Sequence, residues 1–129
     1  MADDPIRVGI VLREHDLSAW AGRLPELADR AVAAGIDHLT VGDHALLLWA
    51  GFGDTRAGTR ERLSAAMEAA YAMRFERFER YAPYGPPPVI AEALSPYLAV
   101  GCRRFNFVPE AMSLTAAFDA AAEVKALLS

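Results

Sequence analysis

The stretch IRVGIVLREHDLSAWAGRLPELADRAVAAGIDHLTVGD, residues 6–43, decides the fold. Residues 6–12 are apolar at nearly every position and rich in β-branched side chains, the pattern of a strand buried on both faces. In 20–35 (WAGRLPELADRAVAAG), Leu24, Leu27, Ala28, Ala31 and Ala34 recur at helical spacing. Pro25 suits the first turn of that helix, and Gly35 supplies its left-handed stop. Strand character returns at 38–43 (HLTVGD), so the stretch reads as one β-α-β unit with parallel strands.

Working outward, residues 45–51 (ALLLWAG) predict a third strand, bounded by Gly51, Gly53 and Asp54. From 59 to 81, Leu63, Met67, Ala70, Tyr71, Phe75 and Phe78 step by three or four. Glu61, Arg62, Glu68, Glu76, Arg77 and Arg80 mostly take the opposite side, so the spacing predicts one long helix. Tyr84-Gly-Pro-Pro-Pro breaks it, and 89–101 (VIAEALSPYLAVG) predicts a helix bent at Pro96. A last strand at 104–109 and an alanine-rich helix at 114–128, capped by Ser113, complete the chain. The expected class is α/β, with about four mostly parallel strands and flanking helices.

At 129 residues and 53% apolar, the chain has the size and content of a single domain, 1–129. Seventeen acidic against 13 basic side chains give a formal charge of −4, and no segment concentrates Lys or Arg, so nucleic acid is not an expected partner. The opening Met-Ala-Asp-Asp-Pro lacks an apolar signal region, and no apolar run reaches the roughly 18 residues of a membrane span. A lone cysteine, Cys102, fits a reducing compartment and reads as a small buried hydrophobe. Cytoplasmic location, no membrane partner and no metal site are the resulting expectations.

Five local strings, in order, carry a resemblance. RVGIVL followed by LPELADRAVAAGIDHLTVGDH resembles the first strand, first helix and second strand of the bacterial luciferase-like, flavin- or deazaflavin-dependent monooxygenases. WAGFGD, then FERFERYAPYGPP, then IAEALSPYLAVGCRRFNFVP resemble the end of the same barrel. Between His44 and Trp49, only Ala-Leu-Leu-Leu stands where the family has most of its barrel. An eight-stranded barrel needs about 200 to 250 residues. The resemblance therefore implies a partial (β/α) barrel with open edges, completed by a homodimer, with an open two-layer sandwich of sheet and helices as the fallback. It also implies an oxidoreductase acting on a small apolar metabolite with FMN or deazaflavin. Most of the family's phosphate cradle lies in the missing section, so two alternatives stand beside that one: a cofactor-free cyclase- or isomerase-type enzyme, and a non-catalytic subunit that binds a ligand or partner.

Ligands of parallel α/β folds gather at the carboxyl ends of the strands. There the sequence places Arg13, Glu14, His15 and Asp16, then Asp43 and His44, then Asn106 and Glu110. His44 is the first candidate for acid–base work, because imidazole titrates near neutrality and the resemblance puts this position near the flavin. Asp43 beside it serves either the chemistry or a cap. Glu14 is the second candidate acid or base, against a reading of 14–16 as solvated loop. Trp49, Phe52 and Asn106 are candidate substrate contacts, within a set of aromatics that adds Tyr81, Tyr84, Phe105 and Phe107 and that serves equally as core. Asn106 should face away from Phe105 and Phe107. His38, at the entry to its strand, is assigned a structural role, and the glycine-rich 51–58 a loop before the long helix.

Overall fold

The computed structural model describes residues 5–40 and 46–129. It is an α/β structure built on one open sheet of five parallel strands: β1 (Arg7–Val11), β2 (His38–Thr40), β3 (Leu46–Phe52), β4 (Tyr84–Gly85) and β5 (Arg104–Glu110), in the order β2-β1-β5-β3-β4. Among the described residues five α-helices accompany it: α1 (Glu14–Ala19), α2 (Leu24–Ala34), α3 (Arg56–Tyr71), α4 (Pro87–Ala99) and α5 (Leu114–Leu128). The β-α-β unit forms as the sequence predicts. Gly35 ends α2 at φ 84, and Asp37 then accepts the Val8 N–H at 2.7 Å while pairing with Lys125 of α5 at 3.0 Å.

Strand alternation divides the core. Val8, Ile10, Leu48, Ala50, Phe52, Phe105 and Phe107 lie on one face, where α2, α4 and α5 bury them with Leu27, Ala31, Ile90, Leu94, Phe118 and Val124. The opposite face carries Trp49 and Gly51, and there α3 packs with Leu63, Met67, Phe75 and Tyr84 in a second, smaller core. Gly51 is needed for this approach: a Cβ on it would stand 3.2 Å from the Leu63 Cβ and 3.3 Å from the Thr59 carbonyl.

Four expectations change. The sheet has five strands rather than about four, because Tyr84–Gly85, read as a helix breaker, pairs with β3: the Gly51 N–H donates to the Pro83 carbonyl at 2.9 Å. Residues 14–19 form a helix where a loop was the alternative, since Asp16 folds back to accept the Arg13 N–H at 2.9 Å. The single helix at 59–81 is instead α3 followed by two 3₁₀ turns, Phe75–Arg77 and Glu79–Tyr81. Ala72 turns left-handed at φ 54, the Glu68 carboxylate accepts the Phe75 N–H at 2.8 Å, and Phe75 drops fully buried into the small core. Cys102 is half-buried against the edge of the main core rather than fully inside.

Candidate functional site

β3 is followed by α3 on one face of the sheet, and its neighbour β5 by α5 on the other. Where successive connections part in this way, the carboxyl ends of the strands leave a crevice. Here it is a cleft of about 660 Å³, running from Phe52, Gly53 and Thr55 past Met112 to Asp119 and Glu123 of α5. Arg62 supplies its cation. The Arg62 Nε is buried without a hydrogen-bond partner among the described residues. Gly53 makes room for the side chain: a Cβ there would stand 2.7 Å from Arg62 Nη2 and 2.3 Å from Thr59 Cγ2. The Thr55 hydroxyl caps α3 by accepting the Gly58 N–H at 3.2 Å, and no acidic residue occupies the first turn of α3. The remaining opening amides, which no intrahelical carbonyl can satisfy, present the positive end of the helix, with the exposed Asp54 one residue before the cap.

The far wall carries the opposite sign. Asp119 and Glu123 of α5 are exposed carboxylates on its rim, while the exposed Asp54 stands between Gly53 and Thr55 at the Arg62 end. Such a cleft suits an elongated polar ligand, anionic at the Arg62 end and rich in hydroxyl donors at the other. The residues present fit the phosphate end of an FMN-like molecule at Thr55 and Arg62, and its polyol at the carboxylates.

A second polar cluster closes the carboxyl ends of β1 and β5. Arg13 Nη1 donates to Glu110 at 2.9 Å and to the Pro109 carbonyl at 3.2 Å, and its guanidinium sits 4.9 Å from the Trp49 ring centre. His15, on the exposed side of α1, comes within 3.3 Å of Asp16. A recess of about 180 Å³ opens beside these groups.

The candidates named from sequence fall as follows. Asp43 and His44 lie outside the described residues, and Glu14 is described in its backbone alone, as the first residue of α1. Trp49 lies on the α3 face and donates its indole N–H to the Tyr71 hydroxyl at 2.8 Å. Asn106, 1% exposed, shares that face, in a row with His38, Gly9 and Leu47, and points away from Phe105 and Phe107 as the alternation predicts. Phe52 lies on the opposite face, edge-on to Phe107 at 5.4 Å, so these three substrate candidates do not converge. Arg62 went unread because helical spacing sets it on a solvent side; the one signal for it is the glycine at 53, beneath its guanidinium. Among the described residues, no three His, Cys, Asp or Glu side chains group as metal ligands, and no helix is long and apolar enough to cross a membrane.

Beside β4, Arg60 grips Glu79 with two hydrogen bonds of 2.8 and 2.9 Å, and the Tyr84 hydroxyl donates to the same carboxylate at 2.6 Å. The Arg60 bonds first, then the Tyr84 bond, bring the Glu79 carboxyl from its ordinary 4.5 down to about 2. A depressed acid contributes stability that is complete above its unfolded value and is lost as pH falls through its folded one. Urea midpoints should therefore decline for the wild type between about pH 5 and pH 2, and Glu79→Gln should flatten that decline. Identical slopes in the two proteins would remove this ion pair from the acid response.

No family model, curated protein or solved structure matches the chain. The geometry of the cleft between β3 and β5 therefore carries the functional reading.

Proposed function

We propose that the chain is a small flavin- or deazaflavin-dependent oxidoreductase of the luciferase-like kind, which holds its cofactor in the cleft between the carboxyl ends of β3 and β5 and acts on a small apolar metabolite. One observation supports this most: a ligand-sized cleft at the point where the β3 and β5 connections diverge, with a buried, unpartnered Arg62 nitrogen and the open start of α3 at one end. In this reading Arg62 and Thr55 hold the phosphate, Asp119 and Glu123 accept from the polyol, and Phe52 and Met112 exclude water. When bound, the cofactor supplies hydride or oxygen chemistry. The edge strands β2 and β4 are where a second copy would extend the sheet toward the barrel that the resemblance implies; light scattering at twice 14.0 kDa would support that part, and a monomer would remove it.

The test is a titration of FMN, and separately of a deazaflavin, followed by quenching of the chromophore's fluorescence. Saturable binding is expected for at least one of them. Arg62→Gln should weaken it by about tenfold or more, the usual worth of a charged hydrogen bond. A folded protein that quenches neither chromophore would overturn the reading. A cofactor-free acid–base enzyme would then take its place, with the His15 and Asp16 pair beside its recess as the observation in its favour.

A further inference from the structure

β4 is two residues long and pairs with β3 only at Gly51 and Phe52. Among the described residues, the earlier part of β3 has no strand on that side, and a groove of about 360 Å³ occupies the place, floored by Leu48 and walled by Pro83, Val89, Leu94 and Tyr97. It shares no lining residue with the cleft between β3 and β5.

Two cations look into this groove. The Arg56 guanidinium lies 4.7 Å from the Tyr84 ring centre, and that of Arg80 lies 5.2 Å from the Tyr81 ring centre. Neither has a carboxylate within ion-pair distance among the described residues, whereas Arg13, Arg23, Arg30, Arg60 and Arg74 all do. The one acid in the groove wall, Glu79, is bonded by Arg60 and the Tyr84 hydroxyl and also lies in the field of Arg56, so a single carboxylate faces three guanidiniums and positive charge is in excess. The stem of Arg56 is held by Gly85, whose φ of 135 and missing side chain leave the space: a Cβ there would meet Arg56 Cγ at 3.1 Å.

An apolar groove flanked by tyrosines, with two guanidiniums in excess of its one carboxylate, complements a compact anion with an apolar body. The volume sits near the lower end of the range for small-molecule sites, which suits one ring rather than a dinucleotide. We propose that the groove beside the open β3 edge is a binding site for a monocyclic aryl carboxylate. It stands apart from the cofactor reading and survives or fails without it.

The test uses the full ¹⁵N-labelled chain, titrated with sodium benzoate and separately with benzyl alcohol at matched ionic strength, and followed by amide shifts. Saturable benzoate shifts are expected at Leu48, Val89, Leu94 and Tyr97. Binding should be about tenfold weaker for benzyl alcohol, and equally weakened for benzoate in the Arg56→Gln/Arg80→Gln double variant. Ala93→Phe, which fills the groove while leaving both arginines in place, should abolish the shifts. The proposal is overturned by equal affinity for the alcohol, by unchanged affinity in the double variant, or by shifts confined to residues of the β3 and β5 cleft. Absence of any saturable shift in the wild type overturns it as well.

Discussion

Phe107→Ala should lower the stability of the domain by about 4 kcal/mol, within the 3–5 kcal/mol range for emptying a buried aromatic site. Phe107 is fully buried at the middle of β5, the central strand, with Ile10 and Leu48 as its cross-strand partners and the Phe52 ring edge-on against it. Ile10 is fully buried, Leu48 nearly so, and all three belong to the main core. A cavity there is walled by two neighbouring strands whose register fixes them, so little can move in to fill it. Against a total of about 5–15 kcal/mol for a domain, the variant should show a much lower urea midpoint with an unchanged slope. A loss below about 1 kcal/mol would mean that the sheet closes around the gap and that β5 is not a rigid centre.

Gly9→Ala should have the second-largest effect, about 1–3 kcal/mol according to how far the half-buried His38 ring can swing aside, and through the opposite fault. His38 of β2 stands directly beside Gly9 of β1, and its ring lies across the glycine: a Cβ at position 9 would be 2.0 Å from Nε2, 2.2 Å from Cδ2 and 2.6 Å from Cε1. No rotation of a methyl relieves three such contacts, so the ring must leave or the strands must part. The pair can be separated by a double-mutant cycle. In a His38→Ala background the same Gly9→Ala change should cost less than about 1 kcal/mol, because the colliding ring is gone. An equal cost in both backgrounds would show that the glycine is required by the backbone and not by the histidine.

That pairing also shows what the amino-acid sequence does and does not reveal. The place of His38 at a strand entry suggests a structural role, and in the structure its ring lies across Gly9 of β1. Nothing local, however, tells Gly9 that its neighbour will be an imidazole, since the contact exists only once the register of β1 and β2 is set. The strands with long β-branched or apolar runs, β1, β3 and β5, were legible to within a residue or so, as were α2 through Pro25 and Gly35 and α5 through Ser113. The two-residue β4 was not, because Tyr84 and Gly85 sit among prolines and form a strand only through bonds donated by β3. The break after Tyr71 was hidden for a related reason. Phe75 and Phe78 continue the helical spacing, yet a Glu68 side chain and a left-handed Ala72 redirect the backbone.

For the site, the sequence points to the carboxyl ends of the strands, and several polar groups it names there line the recess beside Arg13 rather than the cleft. It paired none of them. Arg13 with Glu110, and Arg60 with Glu79, are separated by 97 and 19 residues, and their meeting depends on strand order rather than on any motif. Arg62 is hidden twice over, by its place on the polar side of a helix and by the need to know that Gly53 ends the strand beneath it.

The strand order has a further consequence, for the time course of folding. β5 lies between β1 and β3, yet residues 104–110 are made after every other strand. Until they leave the ribosome, β1 with β2 and β3 with β4 are two separate parallel pairs, each too narrow to be stable by itself. Until then the nascent chain carries the apolar faces of Val8, Ile10, Leu48 and Ala50 without their β5 neighbours. Their burial comes in one late, long-range step, when Phe105 and Phe107 slide into the gap and join the two halves.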